Sequence, residues 1–182
     1  MKSLFKTVAT GFLLCGLYLN SAVLVASEIA DDSGWQAWPI VGEASLSWGF
    51  WTIYDSQLAT PDGQYLGSAG PLALKITYRR DIDGEDLLDA TGDQWEHLGY
   101  QLSEYQPWVK ELGTVFPNVK KGDQLIYTLN NGVGIFYFRE NRGVPKVVGK
   151  TSSSDMADAF SAIWLSPDTS YPNLRLALIG KK

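Results

Sequence analysis

The sequence predicts an α+β fold, an antiparallel sheet with helices packed on one face. Strand-like segments come first, helical ones lie mid-chain and late, and neither a βαβ rhythm nor an internal repeat interrupts that order. Asn131-Gly132 stands between two alternating apolar runs, the pattern of a tight hairpin. The length of 182 residues, with 45% hydrophobic and 19% charged positions, suits one folded domain rather than a disordered chain.

Residues 1–27 read as a secretory signal peptide. Lys2 and Lys6 give a basic start, an apolar stretch runs over 8–19, and Ala22, Ala26 and Ser27 close it with small residues. Asn20 and Ser21 stop that stretch short of the roughly 20 apolar residues a spanning helix needs. Leu14 stands before Cys15 where a lipoprotein would carry a small residue. The expectation is a cleaved, periplasmic protein without a stable membrane anchor. Cleavage also removes Cys15, the only cysteine, and with it any disulfide or thiol nucleophile. Residues 28–39 form a polar leader, and 40–182 the domain.

Over residues 40–54 the chain reads as a strand pair or one long bent strand. Leu46, Trp48, Phe50, Thr52 and Tyr54 share a face at period two, and Gly49 marks a bulge or bend. Thr60-Pro-Asp-Gly63 is a turn. Residues 72–80 form the next strand, with Leu72, Leu74, Ile76, Tyr78 and Arg80 on one face and Ala73, Lys75, Thr77 and Arg79 on the other. A helix fits 85–98, capped by Asp83 and ended by Gly99, with its apolar stripe on Leu87, Leu88, Thr91, Trp95 and Leu98. A short helix near 104–116 carries Trp108, Leu112 and Phe116 at helical spacing. In the hairpin 124–130/133–140, Leu125, Tyr127 and Leu129 should oppose Phe138, Phe136 and Gly134. Ser152 to Ser154 open a helix through Leu165 whose inner side is Met156, Phe160, Ile163 and Trp164. Residues 172–179 suit a final short helix, although Leu174, Leu176 and Leu178 also fit a strand.

Charge and composition exclude several function classes. Lys and Arg total 15 against 20 Asp and Glu, the formal charge is -5, and no basic run exceeds two residues, so the chain lacks the basic stripe of a nucleic-acid binder. One His and one Cys exclude multi-His and cysteine-rich metal sites, and no metal or cofactor is expected. The acidic run Asp81-Ile-Asp-Gly-Glu-Asp86 has the wrong ligand alternation for a calcium loop and suits a helix N-terminus. His97 falls in the last turn of its helix, where a basic group complements the dipole, and no Gly-x-Ser-x-Gly nucleophile elbow accompanies it. Gly132-Val-Gly134 opens a strand rather than a helix, so it is a hairpin turn and not a phosphate cradle. Tyr78 and Arg80 end an apolar strand face. They are either a phenol and a guanidinium at the mouth of an apolar cleft, fit to hold an amphipathic acid, or a strand end emerging into solvent.

Several stretches together resemble a known family. They are Val41-Gly-Glu-Ala44, Phe50-Trp-Thr-Ile-Tyr-Asp55 with Leu58, the strand 72–83, Val119-Lys-Lys-Gly-Asp123, and Ala159-Phe-Ser-Ala-Ile-Trp-Leu165 leading to Pro172-Asn-Leu-Arg175. In that order, over about residues 40–180, the chain is similar to the bacterial exported branch of the chalcone isomerase-like proteins. The resemblance implies an open-faced β-sandwich, a large antiparallel sheet layered with helices and a ligand cleft between the layers. Plant enzymes of this family use a strand-borne Arg, a Tyr and polar residues to assist an intramolecular ring closure; related members bind fatty acids. Thr52 and Tyr54 match the family's strand pattern, but residues 40–50, where the essential Arg belongs, contain no basic residue.

The resulting expectation is an exported, non-catalytic binder of a fatty acid or another small amphipathic ligand, with Thr52, Tyr54, Tyr78 and Arg80 as its site. An intramolecular lyase or isomerase is the alternative. A partner-binding envelope protein, betrayed by an exposed aromatic patch, is the third reading. Nothing in the sequence sets the oligomeric state.

Overall fold

The computed structural model describes residues 34–67 and 70–182. The expected signal peptide and the first part of the polar leader lie outside the described residues.

Six strands, β1 (Ile40–Trp48), β2 (Trp51–Ala59), β3 (Leu72–Tyr78), β4 (Gln124–Asn130), β5 (Val133–Arg139) and β6 (Lys146–Lys150), form one sheet in sequence order, every neighbour antiparallel. Helices α1 (Gly84–His97) and α2 (Leu102–Leu112) separate β3 from β4, and α3 (Ser154–Leu165) and α4 (Pro172–Leu178) follow β6. Among the described residues no helix is long and apolar enough to cross a membrane.

Strand alternation divides the sheet into two faces. Tyr54, Ser56 and Leu58 of β2, Leu72, Leu74, Ile76 and Tyr78 of β3, and Leu125, Tyr127 and Leu129 of β4 are buried. Apart from Ser56, all belong to the main hydrophobic core, which includes buried residues of α1 and α3. The hairpin register is the expected one, with Leu125, Tyr127 and Leu129 paired to Phe138, Phe136 and Gly134. The helices close this face with aromatic rings. Phe160 of α3 stacks against Tyr127 and Phe136 at centroid distances of 4.7 and 4.9 Å. Trp95 of α1, fully buried, donates its indole N–H to the Ala159 carbonyl at 2.9 Å. The expected inner side of α3, Met156, Phe160, Ile163 and Trp164, is buried throughout.

Several expectations need correction. Residues 40–59 form a hairpin of two nine-residue strands, the first of the two expected readings but reaching five residues further, and Gly49, at φ +60°, sits in its two-residue turn rather than in a bulge. The register slips between Leu46 and Ser47 instead, leaving Ile53 as the extra residue on β2. The second half of β2 reads as polar because Asp55 and Gln57 face away from the helices. Helix α2 begins two residues earlier than expected, where the Gln101 N–H donates to Glu104 Oε2 at 2.6 Å, and it ends before Gly113. Phe116 therefore lies beyond the helix, yet its ring still reaches Phe136 and Phe160. Asp83 takes the N-cap position of α1 without a side-chain bond; the Gly84 N–H donates to Asn118 Oδ1 at 2.8 Å. Residues 172–178 are helical as expected, rather than the alternative strand, with Leu174 and Leu178 buried four apart, and Gly42 lets this helix meet β1, since a Cβ there would collide with the Ala177 carbonyl. Strand β6 was not anticipated, because Lys146 and Lys150 flank only two apolar residues and a glycine. Finally, the end of the expected polar leader contributes Trp35, buried on the uncovered sheet face against Tyr137 at 5.4 Å with Ala73 and Ile126.

Candidate functional site

Between the sheet and the helices lies a cleft of about 300 Å³, mostly apolar and at the small end of the range for ligand pockets. Its floor is Ile76 and Leu125 with the ring pair Tyr54 and Tyr78. These two tyrosines are direct cross-strand partners on β2 and β3, and their rings meet edge to face at 6.5 Å. Leu46 of β1 pairs with Tyr54 and extends the row. The roof comes from Leu87, Thr91 and Gln94 on α1 and from Phe160, Ile163 and Trp164 on α3. Asp86 and Asp93 stand exposed at the rim.

Inside the acidic rim, the polar groups of this cleft are few and uncharged. Trp164 Nε1–H donates to the Tyr54 hydroxyl at 2.9 Å, so the phenol's own proton remains available to a third group. The Tyr78 hydroxyl makes no hydrogen bond to another described residue. Burial pushes both phenols well above their ordinary pKa, more than the Trp164 hydrogen bond offsets at Tyr54. They are thus neutral O–H donors at any physiological pH. Gln94 Oε1 is buried without a partner in the same wall. Among the described residues, no lysine, arginine or histidine lines the cleft. The arrangement can clasp an oxygen-bearing group by hydrogen bonds while apolar walls take a hydrocarbon segment. A bare carboxylate placed among these groups would be a buried charge without a counter-ion.

The four residues singled out from the sequence divide into two pairs. Tyr54 and Tyr78 come together in the cleft. Thr52 and Arg80 lie at the exposed end of the first hairpin and outside the lining; Thr52 Oγ1 is 3.4 Å from the Ser47 hydroxyl, and the Arg80 guanidinium sits 5.6 Å from the Trp51 ring centroid. Arg79 points to the opposite sheet face, as alternation requires, and forms an ion pair with Asp55. His97 Nε2 is 3.1 Å from the Asp168 carbonyl at the end of α1, away from the cleft. Sequence reasoning missed Gln94, although its position, three residues after Thr91 and seven after Leu87, places it on the helix face that looks at the sheet.

A second hollow, about 800 Å³ and the larger of the two, lies on the uncovered sheet face. Its walls are polar, and their side chains largely satisfy one another: Ser45 and Arg79 on Asp55, Gln57 on Glu43, Gln124 on Thr77. With mostly polar walls and few apolar residues, it is the weaker candidate for an amphipathic ligand, despite its size.

No family model matches the chain. An uncharacterised protein of Haemophilus influenzae is 27% identical over 144 residues, which span 79% of this chain and 69% of that protein. Among solved structures, a fatty-acid binding protein of Arabidopsis thaliana superposes with a TM-score of 0.61 at 10% identity, covering 84% of this chain and 89% of that one. At that identity the likeness speaks for the fold alone. The six-stranded antiparallel sheet with its four helices is the chalcone isomerase-like α+β fold.

Proposed function

We propose that this chain is a non-catalytic binder of a small amphipathic molecule of the fatty-acyl class, whose polar end is uncharged when it sits in the cleft. The observation that carries this reading is the pair of neutral phenols, Tyr54 and Tyr78, set in an apolar cleft with no cation among its described lining residues and two carboxylates at its rim. A protonated acid, an ester or an alcohol fits such a site, because each offers an oxygen acceptor without bringing an unpaired charge. The volume accommodates one segment of an acyl chain rather than all of a long one. Thr52 and Arg80 then meet a ligand only where its end leaves the cleft. The neighbour's fatty-acid binding and the shared fold support the ligand class. The aromatic-rich walls support its tail.

The periplasm is the proposed location, on the strength of the basic, apolar and small-residue order of residues 1–27. Native mass spectrometry of protein isolated from that compartment tests both parts. An acyl compound released from the protein is the expected result. A ligand-free protein that fails to bind an added fatty alcohol would end the binding proposal, and turnover of a chalcone would assign the isomerase in its place.

A further inference from the structure

The β1–β2 hairpin projects three large aromatic side chains into solvent within four residues. Trp48 is 80% exposed, Phe50 is fully exposed and Trp51 is 66% exposed. Trp48 and Trp51 are cross-strand partners, and the turn at Gly49 and Phe50 holds them on a convex tip. Arg80 lays its guanidinium by the Trp51 ring. Antiparallel order brings the β5–β6 loop to the same end of the sheet, where Val144 is 72% exposed.

We propose that this tip is a membrane-docking element, which seats Trp48, Phe50 and Trp51 in the interfacial region of a lipid bilayer. Indole rings favour that region because they are apolar in body and carry one polar N–H, and an arginine beside them can reach lipid phosphates. Area argues against a second copy of this chain as the occupant. Three aromatic side chains cover at most about 450–750 Å², since each buries about 150–250 Å². A stable protein interface needs about 800 Å² on each partner. The tip is also the far end of the hairpin that lines the cleft, Leu46 and Ile53 lying two residues behind Trp48 and Trp51. A docked tip therefore holds one wall of the cleft close to lipid. The inference does not depend on which ligand occupies the cleft.

Flotation with vesicles of phosphatidylethanolamine and phosphatidylglycerol in equal parts tests the proposal, comparing the purified chain with Phe50→Asp and with the triple variant Trp48→Ser, Phe50→Ser, Trp51→Ser. Because these side chains are solvent-exposed, melting temperatures should stay at the wild-type value; the single Phe50→Asp change keeps the test open if the triple variant proves less stable. The wild type should float and show quenching of its tryptophan emission by brominated lipid. The variants should partition at least about tenfold less, the loss expected when even one large side chain forfeits its burial. Variants that float like the wild type, or a wild type that stays in solution, would overturn the proposal. So would sedimentation velocity showing a concentration-dependent dimer that Phe50→Asp abolishes without any vesicle binding.

Discussion

The two faces of the sheet are made by the same strands and differ by one residue of phase. On β2 and β3 the helix-covered face carries Tyr54, Leu58, Leu74, Ile76 and Tyr78; the uncovered face carries Asp55, Gln57, Lys75, Thr77 and Arg79. Charged groups on the uncovered face are for the most part paired with one another, as Arg79 with Asp55, although Gln57 Oε1 and Arg139 Nε are buried there without a partner; Lys75, whose pKa is lowered by partial burial and by the neighbouring Arg139, has Glu43 to oppose the shift. On the covered face the polar atoms inside the cleft are neutral and partly unspent: one phenol with a donor left over, one phenol bonded to no other described residue, and a glutamine carbonyl without a bond. Satisfied charge makes a solvated surface, whereas unspent neutral donors in an apolar cleft make a binding site.

The strongest way to break this contrast is Trp164→Ala. The side chain roofs the cleft, is buried, and donates to Tyr54, so its loss should cost about 3–5 kcal/mol, measured by urea unfolding. An unchanged denaturation midpoint would remove α3 from the covered face. Tyr54→Phe should cost about 1–3 kcal/mol, because it strands the Trp164 N–H in the interior. Tyr78→Phe removes a hydroxyl that pairs with no other described residue and should leave stability near the wild-type value. Equal losses for the two would mean that both phenols serve the fold.

Alkaline pH sharpens the comparison further. Burial raises the pKa of Tyr54, Tyr78 and Tyr127 above the unfolded value of about 10. The native state therefore holds protons that the unfolded chain has released. The stability this contributes is fully present below about pH 10 and is lost as pH rises beyond it, at up to about 1.4 kcal/mol per pH unit for each phenol. Tyr78→Phe should lower that slope by one proton, read from melts at successive pH values; an unaltered slope would place Tyr78 in water. On the uncovered face, Arg79→Ala should cost less than about 1 kcal/mol and lose even that effect at high salt, since its ion pair with Asp55 is half exposed. A larger, salt-independent loss would show that face to be covered in solution.

Much of this architecture was legible because side-chain periodicity reports burial directly. The face holding Leu72, Leu74, Ile76 and Tyr78, the hairpin at Asn131-Gly132 and the inner side of α3 all follow from it. Strand β6 and the second half of β2 were hidden for the same reason, since their outward residues are charged or polar and the period is diluted. Trp35 was hidden because its three-residue helical turn gives no periodic signal, although the ring packs on the sheet. For the site, parity placed Tyr54 and Tyr78 correctly but could not foresee that β3 ends at Tyr78 rather than at Arg80, leaving Arg80 by Trp51 rather than in the cleft. Gln94 was legible only as one more polar residue on a helix, because its missing partner is a fact of three dimensions.

The central claim is that the cleft takes an acyl tail and an uncharged oxygen group through the phenols of β2 and β3. Calorimetric titration of the wild type and of Tyr78→Phe with a fatty alcohol and with the fatty acid of equal chain length tests it directly, run at pH 7 and near pH 5. The alcohol should bind equally at both pH values and lose about fivefold to tenfold in affinity with Tyr78→Phe, the worth of one hydrogen bond. The acid should bind more weakly at pH 7 and gain as pH falls toward its carboxyl pKa, where the neutral form becomes available. Tighter binding of the acid at pH 7, unaffected by Tyr78→Phe, would contradict the account.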